Sequence, residues 1–133
     1  MRKIDKKRDN QLREGLTSVC QHAIAAYPGF AWITHIVDYA IFPKGLRIIC
    51  IFDTESQLMQ FNQRGDKAIL LSLIQGTLAQ YDIDLKDINQ HVSFDTETAC
   101  EQQHQGNWAL RLSETNSMAN NGRSKLRSLS RGG

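Results

Sequence analysis

The sequence predicts an α+β domain: helix–strand–strand–helix–helix–strand–helix, with a three-stranded sheet and helices packed on one face. Three observations predict it. Apolar residues recur at spacings of three and four over residues 9–27. Two runs rich in β-branched and aromatic residues, 30–42 and 46–52, flank the turn signal Pro43-Lys44-Gly45. A third run, His91-Val92-Ser93-Phe94, ends as the second does: Phe-Asp-Thr-Glu stands at 52–55 and again at 94–97.

The first helix places Leu12, Leu16, Val19, Cys20, Ala23, Ile24 and Tyr27 on one face and stops at Pro28-Gly29. In the strand that follows, Trp32, Thr34, Ile36 and Asp38 share one side, and Ile33, His35, Val37 and Tyr39 the other. The turn at 43–45 makes this strand and Leu46–Phe52 a hairpin. Thr54 and Gln57 form a capping box for a short helix carrying Leu58, Met59 and Phe61, which ends at Gly65. Asp66 then caps a longer helix to about Tyr81, with Leu70, Leu71, Leu73, Ile74, Leu78 and Tyr81 inward. Gly76 inside that helix costs about 1 kcal/mol against alanine, which predicts a close neighbour there. Residues 82–87 read as a loop tacked down by Ile83 and Leu85. The helical crossover makes the strand at 91–94 parallel to 46–52 if the two are adjacent, with both Phe-Asp-Thr-Glu corners on one edge. A short helix from Thr96 to about His104 follows, and Trp108, Leu110 and Leu112 dock back on the body.

The 133 residues form one domain's worth of chain. Residues 1–8 read as a basic N-terminal arm, 9–112 as the domain, and 113–133 as a disordered basic tail too polar to offset its ordering entropy. Charge is unevenly placed. Residues 1–14 hold six basic and three acidic side chains, 15–122 six basic and eleven acidic, and 123–133 four basic and no acidic. Positive charge therefore sits at the ends of an acidic body. No apolar run approaches a membrane span, and the start lacks the apolar core of a signal peptide, so a cytoplasmic protein with no membrane association is expected. Three unpaired cysteines suit a reducing compartment.

The element order over residues 9–95 resembles the type II KH-like arrangement of single-stranded nucleic-acid binders. Where that family carries its Gly-x-x-Gly phosphate grip, this chain has Asn62-Gln63-Arg64-Gly65-Asp66, with one glycine. The resemblance thus implies the fold in a degenerate form, without the binding loop. The chain is also similar to a small uncharacterised bacterial protein family often auto-named Fis-like transcriptional regulator. That similarity rests on Asn10-Gln11-Leu12-Arg13, Trp32-Ile33-Thr34-His35, Cys50-Ile51-Phe52-Asp53-Thr54 and Asp87-Ile88 leading to His91-Val92-Ser93-Phe94-Asp95. A Fis-type reader needs two C-terminal helices, the second one basic. This C-terminus reads instead as strand, short helix and tail.

Candidate chemistry is sparse. Asp53, Asp95, Glu55 and Glu97 at the paired corners are placed to hold a divalent cation, yet helix capping alone explains such residues. His91, Cys100 and His104 form a metal-like trio without a fourth ligand. His35 reads as a core or edge histidine, and Trp32 and Trp108 as packing residues. No nucleophile elbow, phosphate-binding glycine loop or dinucleotide fingerprint is present. The expectation is a protein that is not an enzyme, with no cofactor and no bound metal. It is an accessory or regulatory protein whose basic residues Arg2, Lys3, Lys6, Lys7, Arg8, Arg123, Lys125, Arg127 and Arg131 touch RNA or DNA weakly, while the body meets an unknown protein partner. The alternative is a protein–protein interaction module, or a homodimer through the sheet face bearing Trp32, with no nucleic-acid role.

Overall fold

The computed structural model describes residues 3–120 and 125–131, and the side chains of 3–114. Helix α1 spans Lys3–Ala26. Its inner stripe of Leu12, Leu16, Val19, Cys20 and Ala23 extends backward through Asp9 and Asp5, which are buried with it. Residues expected to form an arm therefore continue the helix from Lys3. At the exit, Gly29 adopts φ +87°, and a Cβ there would lie 2.3 Å from the Gln57 side chain. Its carbonyl accepts from Asp53 N at 2.8 Å, tying this turn to the first corner.

Strand β1 covers Phe30–Val37. It ends earlier than residue 42 because Asp38 caps a 3₁₀ turn over Tyr39–Ile41, its carboxylate accepting from Ala40 N. Strand β2, Leu46–Phe52, returns antiparallel with Ile33 opposite Cys50. Helix α2, Glu55–Gln63, begins with the Thr54–Gln57 capping box. Helix α3, Asp66–Ala79, starts from Gly65 in the left-handed region (φ +78°), with no side-chain cap. Asp66 is thus the first helical residue and not the cap, and its charge still suits the N-terminal end of the helix dipole. Ile83 and Leu85 are buried as expected of tack points. A single turn, α4 (Ile88–His91), leads into β3 (Val92–Thr96). Strand β3 runs parallel to β2 with Phe52 opposite Thr96, so both corners share one edge.

The α+β architecture is as expected, with a mixed sheet ordered β3-β2-β1. The helices differ from expectation in covering both faces. On one side α1 and α3 enclose Ile33, Val37, Ile48, Cys50 and Phe52. On the other, α5 (Glu97–His104) and α6 (Trp108–Asn120) bury Trp32, Ile36, Ile49 and Ile51 beneath Cys100, Trp108 and Leu112. A one-sided arrangement would leave Trp32, Ile36, Ile49 and Ile51 in water, and α5 and α6 cover them. Trp108 and Leu112 dock one turn apart, while Leu110 between them faces out at 47% exposure.

The tail expected from residue 113 falls partly outside the described residues, at 121–124 and 132–133. Within them, the backbone continues as helix to Asn120 and as strand β4, Lys125–Arg131, antiparallel to the free edge of β1. Gly76 also departs from expectation: a Cβ built on it meets nothing within 4 Å. The close helix contact is at Gly15 of α1, where a Cβ would lie 3.1 Å from Leu78 Cδ2 and 3.3 Å from Tyr81 Cε2.

Candidate functional site

Helical placement sorts the N-terminal charges. At about 100° per residue, Asp5 and Asp9 fall on the inner stripe while Lys3, Lys6 and Lys7 fall outside it. The two acids are 7% exposed, and the three lysines stand in solvent. Asp9 does not stay bare in the interior. Its Oδ1 accepts from Tyr39 Oη at 3.1 Å and lies 3.5 Å from His35 Nε2, and its Oδ2 lies 3.2 Å from Arg13 Nε. A buried carboxylate requires such partners. Arg8 is half-buried, its guanidinium 4.7 Å from the centroid of the Phe42 ring.

At the other end of the sequence, Arg2 and Arg123 lie outside the described residues. The backbones of Lys125 and Arg131 pair with Val37 and Trp32, and Arg127 falls at the register shift opposite His35–Ile36. Strand β4 also lies close to α1. Asp9 of α1 reaches His35, which pairs with Ser128. The first turns of α1 and the Lys125 end of β4 therefore occupy one end of the sheet. Two basic segments separated by the whole chain are brought together.

The carboxylates of the second acidic corner are committed to structure, while Asp53 and Glu55 of the first are exposed. Thr54 and Thr96 cap α2 and α5, accepting from Gln57 N and Ala99 N. The aspartates do not cap. Asp53 is exposed, and Asp95 takes a forked pair from Arg111, with Nε at 2.6 Å and Nη2 at 2.9 Å. The Asp95 hydrogen bond is the main reason the Arg111 guanidinium is held above its ordinary pKa. Glu97 Oε1 accepts both indole N–H groups, from Trp32 at 2.8 Å and Trp108 at 2.7 Å. The His91, Cys100 and His104 trio does not converge. His91 Nδ1 meets Leu46 O, Cys100 is buried in the second core, and His104 lies between Glu114 and Arg111. Burial pushes the Cys100 thiol up, and Cys50 likewise. Among the described residues no group of three or more His, Cys, Asp or Glu is arranged to hold a metal ion. Nor is any described helix long and apolar enough to cross a membrane.

Two hollows lie along α1. A cleft of about 180 Å³ is lined by Lys7, Arg8, Gln11, Phe42, Tyr81 and Asp82, together with Ile4 and Ile83. A broader, shallower trough of about 490 Å³ continues past Tyr81 along Arg13, Glu14, Thr17, Ser18 and Gln21.

No family model, curated protein or solved structure matches the chain.

Sequence reasoning missed three groups. The anchoring of Asp9 was signalled by the 5-9-12-16 spacing, which places both acids on the apolar stripe. Glu97 as joint acceptor for two indoles, and Arg111 as clamp on Asp95, carried no local signal because their partners come from distant elements.

Proposed function

We propose that the protein is a non-enzymatic accessory or regulatory protein of the cytoplasm that associates weakly with nucleic acid through its basic ends, while its body meets a protein partner. One observation carries the reading: the first two turns of α1 direct Asp5 and Asp9 inward and Lys3, Lys6 and Lys7 outward, beside the backbone of the basic C-terminal segment, while Glu14 farther along the helix is exposed. With Asp5 and Asp9 buried, Lys3, Lys6 and Lys7 are the exposed charges of the first two turns. Clustered cations supply sequence-independent affinity by releasing counterions. The KH-like resemblance is part of the proposal only as a fold, on the strength of element order. The junction at Asn62–Asp66 is not assigned a binding role.

The homodimer alternative loses the surface on which it rested, since Trp32 is 3% exposed beneath Trp108.

Fluorescence anisotropy with labelled RNA and DNA tests the reading. Binding is expected at low salt, with log K falling by roughly 0.7–0.9 per phosphate contact for each unit of log salt. Replacing Lys3, Lys6 and Lys7 together by glutamine is expected to lower the salt slope by about 2–3. Absence of binding to either polymer at low salt overturns the proposal.

A further inference from the structure

We propose that the cleft between the first turns of α1 and the Tyr39–Pro43 turn receives one unpaired base of a single-stranded nucleic acid. This rests on the nucleic-acid reading above and adds to it a discrimination between strands that charge alone does not provide.

Phe42 and Arg8, which line the cleft, belong to a stack of flat groups backed by Tyr39. Tyr39 is buried and pinned through its hydroxyl to Asp9. Phe42 stacks on Tyr39, ring centroids 5.8 Å apart and planes 27° from parallel. The Arg8 guanidinium lies over Phe42 in turn. A guanidinium is planar and weakly hydrated, so a base laid against it becomes the next layer of the same stack. Tyr81 supplies a second aromatic wall, its ring held against α1 at Gly15. Gln11 and Asp82 place an amide and a carboxylate in the cleft, where they can meet the polar edge of a base. Lys7 lines the cleft and is exposed like Lys3 and Lys6, the residues assigned to the phosphates in the reading above.

Size and charge agree. A volume of about 180 Å³ leaves room for one flat ring system. Lys7 and Arg8 outnumber Asp82, so the cleft favours an anion's neighbourhood. A base in a duplex must first unpair and unstack, whereas a single strand offers it at little cost.

The test compares labelled oligo-uridine and oligo-thymidine single strands with the same strands in duplex form, by anisotropy at matched salt. The full chain is expected to bind either single strand roughly 5- to 100-fold more tightly than duplex, the range of a base–aromatic stack. Arg8→Lys keeps the charge and removes the plane. It is expected to lower single-strand affinity at least several-fold with the salt slope unchanged. Tyr81→Leu keeps apolar bulk and is expected to do the same, with a thermal melt confirming that each variant is folded. Equal affinity for duplex and single strand, or no change in both folded variants, overturns the pocket. In that case the basic-face reading survives if Lys3, Lys6 and Lys7 still set the salt slope. No binding to any strand overturns both.

Discussion

Beneath α1 and α3 the sheet is covered mainly by aliphatic and aromatic side chains that interlock by shape, with the buried Asp9, bonded to Tyr39 and beside His35, as the polar exception. Beneath α5 and α6 the smaller cover is fastened by directional bonds: two indoles on Glu97 and a forked arginine on Asp95. The difference follows from size. A long helix whose inner stripe carries the five apolar residues Leu12, Leu16, Val19, Cys20 and Ala23 buries enough apolar area to hold its own place. An eight-residue helix and its successor bury little, so their position depends on hydrogen bonds that fix angle as well as distance. Shape-filling packing tolerates neighbouring variation in polarity poorly, whereas a bonded cover fails when one acceptor or one ring is lost.

The largest expected effect tests the bonded side. Trp108→Ala removes the ring that meets Trp32 at 5.0 Å edge-on, together with one of the two donors to Glu97. A loss of about 3–5 kcal/mol is expected from urea unfolding, with a red shift in the remaining Trp32 emission as its face opens to water. An unchanged midpoint would show that α6 contributes no cover. Next comes the interlocked side. Gly15→Val pushes side-chain atoms into Leu78 and Tyr81, and a loss of about 1–3 kcal/mol is expected, read as a lower thermal midpoint with the Trp32 signal preserved. The smallest effect has the opposite sign. Gly76→Ala enters open space on α3, and a gain of up to about 1 kcal/mol is expected. A loss there would mean that something covers this helix face in solution.

The residues explain what was legible. The capping box at Thr54–Gln57, the hairpin turn, and the parallel corners were visible because each depends on residues a few positions apart or on a helical crossover. The α1 stripe was visible too, although its first two members are acids and do not register as apolar. Of the second helical layer, α5 and the docking of Trp108 and Leu112 were legible, but helix α6 and the sheet face it covers were not, because Trp108 and Leu112 form only one i,i+4 step with Leu110 breaking the pattern between them. Strand β4 has only Leu126 and Leu129 as apolar members, and its place is set by the unpaired edge of β1, a property of another element. Gly76 misled for a related reason: local propensity says that a glycine is costly there, but not why it is tolerated.

Strand β1 has neighbours from opposite ends of the chain: β2 follows it within ten residues, and β4 arrives after residue 124. During synthesis at about 5–20 residues per second, the hairpin is complete several seconds before its second flank exists. For that interval the outer rail of β1 offers unpaired amides and carbonyls to any passing chain. Nascent protein that has not reached residue 125 is therefore expected to leave this edge open to pairing with another chain.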